Sequence, residues 1–162
     1  MANSVLVSVQ EGLPEPSWFA HVEKFVLLAM EKLGYDGEEL SIMFTDDTLM
    51  QELNKSYRNI DSSTDVLSFE NGEEYNDEDG NKWLNAGDIA ISLDMLPVNA
   101  AYFNCSENEE LKRLLVHGLL HLNGMDHGDE HIEKNQLPVC EMLVTQENLL
   151  SELKDEIIIG NE

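Results

Sequence analysis

Basic residues are scarce in this sequence. Only 9 of the 162 residues are lysine or arginine, against 33 aspartates and glutamates, so the formal net charge is −24. The arginines are Arg58 and Arg113. Broad adhesion to nucleic acid depends on many Lys and Arg contacts to phosphate, and peripheral binding to anionic membranes needs a basic face. The composition therefore excludes a polycation that coats nucleic acid, and it disfavours a peripheral membrane protein.

Cysteines and long apolar runs are also scarce. Cys105 and Cys140 are too few for a disulfide framework, so we expect free, buried thiols in a reducing cytoplasm. The longest apolar runs, such as Phe25 to Met30, fall far short of the roughly 20 residues of a membrane span. The first residues, MANSVLVSVQEGLPEP, have no basic region and no long apolar core, so no signal peptide is predicted. We expect a cytoplasmic protein with no membrane partner.

What the sequence does contain is enough apolar patterning for a folded domain. Hydrophobic residues make up 42% of the chain and recur throughout it, so disorder is disfavoured and residues 1–162 are predicted to form a single domain. Periodicity predicts an α+β fold, with a mixed sheet of about four strands packed with about five helices. The strands are predicted at 5–9, 40–44, 65–69 and 88–92, and the helices at 17–33, 45–57, 93–103, 106–124 and from near Pro138 to 153.

Two local features of this pattern stand out. The segment 70–80, ENGEEYNDEDG, has six acidic residues and no basic one, and it is predicted to be a solvated hairpin loop. A cation site there is the weaker alternative, because the spacing does not fit a calcium loop. In the last predicted helix, Gln146 is a polar exception on the apolar face.

The most informative segment is HGLLHLNGMDH, residues 117–127. His117 and His121 are four residues apart in a predicted helix, so both imidazoles lie on one face of it. Gly124 is expected to end the helix and let the chain turn back, so that His127 can add a third nitrogen. Three histidines with an open coordination position are typical of catalytic zinc, although nickel, copper and cobalt also accept imidazole. The spacing predicts one zinc ion per chain on a zincin-like helix.

Several polar residues near this motif have alternative interpretations. His131 competes as third ligand, but we expect it to be exposed; His21 lies among core positions of the first helix and is expected to be structural. Asp126 either orients a ligand imidazole or caps the turn. Ser68 and Asp88, placed at predicted strand ends, either face the site or only end the strand pairing.

The H-x-x-x-H-x-x-G-x-x-H spacing is shared with the metzincin peptidases. In those enzymes a glutamate follows the first histidine and takes a proton from zinc-bound water. Here that position is Gly118, which has no side chain for the task. A zinc peptidase is therefore disfavoured, although the metal-binding pattern is kept.

Four segments together resemble one protein family. HGLLHLNGMDH is similar to the signature of the YbeY family of bacterial ribosomal-RNA maturation factors. LNKSYR at 53–58, TDVLSF at 64–69 and GDIAIS at 87–92 resemble the other blocks of that family, in the same order. The resemblance runs from Val5 to about Leu153. It implies a zinc-associated, single-strand-specific endoribonuclease that acts in 16S rRNA 3′-end maturation and in ribosome quality control. Its partners would be the 16S rRNA precursor and the ribosomal small subunit.

The resemblance also implies roles for particular residues. It places the three metal ligands of the family on the three histidines of residues 117–127, and its functionally important arginine on Arg58. Zinc would lower the pKa of water from ~15.7 towards ~7, and Arg58 would hold the phosphate and stabilise the charge that develops on it. Judged from the residues alone, an ion pair with Asp61 or Asp65 is a better explanation for Arg58 than a phosphate-binding role.

Other positions bear on how RNA would be held. The family often has proline where Glu70 begins the acidic segment, and an aromatic residue is common where Met125 stands; neither change removes a metal ligand. Lys55, Lys112 and Arg113 are further candidates for phosphate contacts, although the last two would also suit the solvated face of their helix.

Two functions from other classes compete with the endoribonuclease. One is a non-enzymatic ribosome-assembly factor with a structural metal, and the other is the zinc peptidase disfavoured above. For the endoribonuclease, the general base stays open between a metal hydroxide and the 2′-OH of the substrate. The charge of −24 predicts weak, salt-sensitive binding of RNA at one site. DNA is not expected to be a partner.

Overall fold

The computed structural model describes residues 2–125 and 140–160. Over these residues it contains four strands and five helices, so the predicted α+β class is confirmed. Their order along the chain is β1 Ser4–Val9, α1 Ala20–Lys32, β2 Glu38–Thr45, α2 Asp47–Arg58, β3 Val66–Asn76, β4 Lys82–Ser92, α3 Met95–Phe103, α4 Glu107–Leu122 and α5 Glu141–Glu152. None of these helices is long and apolar enough to cross a membrane.

The sheet is mixed and has β3 at one edge. Its strand order is β1-β2-β4-β3, with β1 and β4 parallel to β2, and β3 antiparallel to β4. Because side chains alternate along a strand, β4 contributes to two cores. Ile89 and Ile91 belong to the large core that contains the buried side of α4, whereas Ala90 joins Met50 of α2 and Leu67 of β3 in a small one. Helices α2 and α4 therefore lie on opposite faces of the sheet.

Helix α4 runs alongside a short stretch of β3. A Cβ placed on Gly118 would lie 3.0 to 3.3 Å from the side chain of Ile89, and one placed on Gly87 would lie 3.1 Å from Leu122. Ile89 pairs with Ser68, and Gly87 pairs with Glu70. The second half of α4 therefore follows residues 68–70 of β3 in the same direction, with β4 beneath it.

The prediction of a loop at 70–80 is wrong for most of that segment. Strand β3 continues to Asn76 and β4 begins at Lys82, so the two strands form an exposed ribbon that ends in a tight turn. The carboxylate of Asp77 organises this turn by accepting hydrogen bonds from the backbone N–H groups of Asp79 and Asn81 and from the Trp83 indole N–H, each at 2.9 Å. Backbone pairing makes the ribbon, and solvation of both faces explains why no apolar alternation marks it in the sequence.

Two further expectations about burial are wrong. Cys105 is exposed, because it lies in the short connection between α3 and α4; Cys140 is half-buried, and both are free thiols. His21 is exposed on the first turn of α1, so it is not part of the core. The buried stripe of that helix consists of other residues, namely Val22, Phe25, Val26, Ala29 and Met30.

Candidate active site

Two of the predicted metal ligands are brought together on α4. Ser106 caps the helix by accepting a hydrogen bond from the backbone N–H of Glu109 at 3.1 Å, as the sequence predicts. At the other end, Gly124 has a φ of 86° and its N–H donates to the His121 carbonyl at 3.1 Å. Between these caps the rings of His117 and His121 lie 4.7 Å apart, centroid to centroid, and both are half-buried.

A buried glutamine on α5 orients His117. Oε1 of Gln146 lies 2.7 Å from Nδ1 of His117, and Gln146 is 0% exposed. An amide oxygen can only accept, and Nε2 of Gln146 donates to Glu147 at 3.2 Å, which fixes the direction of the amide. Nδ1 of His117 is therefore the donor, and the lone pair of the neutral ring lies on Nε2. This contact explains the polar exception on the apolar face of the helix.

The donor set fits a metal that prefers imidazole. Held by a hydrogen bond at Nδ1, the His117 ring has the arrangement found in most metal-binding histidines. Among residues 2–125 and 140–160, no group of three His, Cys, Asp or Glu side chains could hold a metal ion. The third predicted ligand, His127, lies outside the described residues, as do Asp126 and the competing His131. The described part of the chain therefore contains two of the three histidines that the sequence predicts as ligands.

Gly118 separates this site from that of a peptidase on steric grounds as well. A Cβ at this position would lie 3.0 to 3.3 Å from atoms of the Ile89 side chain on β4, which is tighter than nine in ten real Cβ contacts. A glutamate here would therefore require Ile89, a core residue that is 1% exposed, to shift by a few tenths of an ångström. The position that carries the general base in metzincins is used here to pack α4 closely on the sheet.

Arg58 lies across the sheet from the histidines. It is the last residue of α2 and is exposed, and no described residue forms an ion pair with it. The alternative pairing is not formed, because Asp61 accepts from Gln51 at 3.0 Å and lies 4.0 Å from Lys55, while Asp65 accepts from Asn99 at 2.8 Å. Since α2 and α4 cover opposite faces, the edge strand β3 lies between Arg58 and the histidine pair.

Two of the other three candidate cations, Lys112 and Arg113, are structural. Lys112 is 0% exposed, and its ammonium donates to the carbonyls of Leu153 at 2.9 Å and Glu156 at 3.0 Å, beyond the end of α5. Arg113 forms a bidentate pair with the buried carboxylate of Glu110, with Nε donating to Oε1 at 3.0 Å and Nη2 donating to Oε2 at 2.6 Å. The predicted solvated face is therefore wrong for Lys112, whose charge is enclosed by distant parts of the chain.

The carboxylate that binds Arg113 belongs to a buried network. Burial raises the pKa of Glu110, and the Arg113 guanidinium opposes this rise. Asn99 bridges two acids by donating to Asp65 at 2.8 Å and to Glu110 at 3.3 Å. The guanidinium of Arg113 also lies 4.5 Å from the centroid of the Phe103 ring. This network joins α3 and α4 to the start of β3.

Ser68 and Asp88 lie within strands rather than at their ends. Ser68 pairs with Ile89 and so lies on the α4 face, where its hydroxyl is buried without a hydrogen-bond partner in the described chain. Asp88 is exposed on the other face, opposite Phe69, and accepts a hydrogen bond from Ser41. Only Ser68 is therefore on the same side of the sheet as the histidine pair.

A buried carboxylate near the end of α4 has no counterpart in the sequence-based prediction. Glu38, the first residue of β2, is 6% exposed, and its Oε1 has no hydrogen-bond partner among the described residues. Burial raises the pKa of Glu38, and a hydrogen bond from Asn123 opposes the rise. Burial, together with the charge of Glu38, raises the pKa of Tyr35 to about 12. Nothing in the local sequence pattern marks Glu38 as buried, because three of its neighbours are also polar or flexible.

Comparisons with known proteins agree with the fold and the motifs. The family described as Endoribonuclease YbeY matches residues 8–154. The chain is 50% identical over 155 residues to Endoribonuclease YbeY of Treponema denticola, covering 96% of both chains. It is 43% identical over 150 residues to that of Treponema pallidum strain Nichols, covering 93% of this chain and 89% of the relative. The solution structure of TM1509 from Thermotoga maritima has the same fold, with a TM-score of 0.57, 24% identity, and coverage of 93% of this chain and 91% of that one. The chain therefore belongs to the YbeY family.

Proposed function

We propose that this protein is a metal-dependent endoribonuclease that cleaves single-stranded RNA, with residues 1–162 acting as one catalytic domain. The observation that carries the proposal is the pair His117 and His121, fixed on one helix with the His117 ring oriented by Gln146. Membership of the family described as Endoribonuclease YbeY supports the same activity. His127 is the proposed third ligand, and zinc is the proposed metal.

The side chains of this chain would divide the work between positioning and charge stabilisation. When bound, the zinc ion would polarise the phosphoryl group and lower the pKa of water towards the neutral range. Gln146 holds the His117 ring in the orientation that directs Nε2 away from α5. Arg58 carries a planar guanidinium that can bind two oxygens of one phosphate along the strand, so its charge would hold the RNA backbone in place while the bond is cut at the histidines.

The arrangement around β3 favours a single strand as substrate. The second half of α4 follows residues 68–70 of this edge strand on one face, and Phe69 belongs to the small core under α2 on the other. A flexible strand can bend around such an edge and reach both Arg58 and the histidines. A duplex is stiff, and its bases are stacked and paired, so it cannot follow the same path. Duplex DNA is not a proposed partner.

We propose the 16S rRNA precursor within the ribosomal small subunit as the physiological substrate. The cytoplasm, where ribosomes mature, is then the compartment of action. The four motifs shared with the YbeY family support this role. The charge of −24 limits affinity to a local site, so binding should weaken strongly with salt while the site of cleavage stays the same.

Metal analysis and RNA cleavage on the same preparations test the proposal. Wild type should hold one zinc ion per chain and cut a single-stranded oligonucleotide, whereas His117→Ala and His121→Ala should lose both the metal and the cleavage. His21→Ala is the matched control, because it removes an exposed histidine on α1. Cleavage that persists without metal would contradict the mechanism. Full ribosome maturation in cells with both histidine variants would favour the non-enzymatic assembly factor.

A further inference from the structure

An exposed aromatic ring lies next to Arg58. Tyr57, in the last turn of α2, is 55% exposed. One side of its ring packs on Phe69 of β3, with the centroids 4.4 Å apart and the planes at 56°. Phe69 in turn belongs to the small core under α2. The Tyr57 ring is therefore held in place from behind while much of it faces solvent.

The charges around this ring are unusual for such an acidic protein. Arg58 follows Tyr57 directly and has no ion-pair partner in the described chain. Lys55 is also exposed, and its distance of 4.0 Å from Asp61 makes that ion pair weak. Asp88, which lies opposite Phe69, already accepts a hydrogen bond from Ser41. A cation and an aromatic ring are therefore presented together to the solvent.

Two other exposed tyrosines lack this combination. Tyr75 lies on the acidic ribbon and donates its hydroxyl to Glu39 at 2.9 Å. Tyr102 is 56% exposed and packs on Phe103, with ring centroids 4.9 Å apart, but the cation beside that pair, Arg113, is already bound to Glu110. Tyr102 is thus matched to Tyr57 in exposure and in its phenylalanine neighbour, and differs in the state of the nearby cation.

We propose that Tyr57 is a stacking platform for one unpaired base of the RNA, and that Arg58 holds a phosphate next to that base. The inference rests on the proposed function, since it assigns a binding subsite for the same single-stranded substrate. Bases of single-stranded RNA stack on exposed aromatic side chains, and a guanidinium beside the ring binds the backbone. Because Tyr57 packs on Phe69, the stacked base would lie beside the stretch of β3 that α4 follows on its other face.

Binding of a single-stranded RNA to the full-length chain tests the proposal separately from cleavage. All variants carry His117→Ala, so that the RNA stays intact, and Kd is measured by fluorescence anisotropy. Tyr57→Ala should weaken binding by about 5- to 140-fold, the range that stacking on one aromatic side chain supports. Tyr57→Phe and Tyr57→Trp should bind like the parent. Tyr57→Leu keeps an apolar cover on Phe69 and should be as stable as the parent, but it should bind as weakly as Tyr57→Ala.

Tyr102→Ala and an abasic RNA make the test specific. Tyr102→Ala should leave Kd unchanged. Removing one base from the RNA should weaken binding by the parent, and the same removal should have little further effect on Tyr57→Ala. Unchanged binding by Tyr57→Ala and Tyr57→Leu would overturn the stacking role and would leave protein binding as the role of this ring. The proposed function would still be supported in that case if the enzyme without these substitutions cleaves the RNA. If the parent binds no single-stranded RNA and the enzyme cuts none, both proposals fail together.

Discussion

The two pairs of cations on α2 and α4 look alike in the sequence and have opposite surroundings. On α4, Lys112 is enclosed and donates to the carbonyls of Leu153 and Glu156, and Arg113 is bound by Glu110. On α2, Lys55 and Arg58 are exposed, and Arg58 has no ion-pair partner in the described chain. The positive charges that remain available for a phosphate are those that the fold has not already used.

The buried pair shows why a lysine can be structural in this protein. The last carbonyls of a helix have no partner inside it, and they lie at the negative end of its dipole. The Lys112 ammonium binds carbonyls just beyond the end of α5 and so satisfies groups that would otherwise be buried without donors. The exposed pair on α2 has no such structural task, so substitutions should separate stability from RNA cleavage.

Arg58→Ala should have the largest effect, and it should act on RNA binding and cleavage but not on stability. Without the contact between the guanidinium and a phosphate, the strand is misplaced at the metal site, so kcat/KM should fall by about 10²-fold. Zinc content and thermal stability should stay at the wild-type level, because the side chain is exposed. Lys24→Ala, an exposed cation on α1, is the control for loss of one positive charge. Equal losses of cleavage in both variants would remove the special role of Arg58.

Lys112→Met should have the next largest effect and should act on stability. It leaves buried carbonyls without a donor, so the free energy of unfolding should fall by about 2–4 kcal/mol. Urea denaturation of Lys112→Met and Lys24→Met measures the difference between a buried and an exposed lysine. A drop smaller than 1 kcal/mol for Lys112→Met would mean that its hydrogen bonds contribute little.

Gln146→Leu should weaken the metal site without unfolding α5. It keeps the packing volume but removes the acceptor for Nδ1 of His117, and loss of such a partner lowers metal affinity by about 10- to 100-fold. Competition with a chelator measures the affinity. Gln146→Glu keeps an acceptor and should retain the metal, and Asn148→Leu changes an exposed residue of the same helix as control. Unchanged affinity in Gln146→Leu would show that the ring needs no support from α5.

The smallest effect should come from Asp77 at the tip of the ribbon. Hydrogen bonds, first of all that from the Trp83 indole, hold the pKa of Asp77 below its ordinary value. The ionised carboxylate is therefore favoured in the folded turn. Its contribution should be complete above the pKa of the unfolded chain, and it should be lost as pH falls through the lowered pKa. The fluorescence of Trp83, followed in a Trp18→Phe background, should report this transition, and Asp77→Asn should abolish it.

The sequence predicts the parts of this protein that depend on short-range patterns. The element order, the Ser106 cap of α4 and the pairing of His117 with His121 on one face all follow from spacing within a few residues. The ribbon of β3 and β4 could not be predicted, because both of its faces are solvated and its sequence therefore has no alternation of apolar and polar residues.

Contacts between distant residues explain the other differences. Lys112 meets carbonyls more than 40 positions further along the chain, and Gln146 meets His117 across 29 positions. Lys112 and Gln146 are polar residues on helices that otherwise follow the usual apolar periodicity, and their partners become evident only from the packing of α4 against α5. A single polar residue on an apolar stripe, such as Gln146, is the one signal that could have indicated a buried contact.

The central claim is that one RNA strand meets Arg58 on one side of β3 and the histidine pair on the other. The most direct measurement compares wild type and Arg58→Ala on oligonucleotides in which a single phosphate is replaced by a neutral methylphosphonate. At one fixed distance from the cleaved bond, the replacement should slow wild type and leave Arg58→Ala almost unaffected, because the charge that Arg58 binds is already gone. If every position slows the two enzymes by the same factor, Arg58 does not bind a particular phosphate of the cleaved strand, and the claim is wrong.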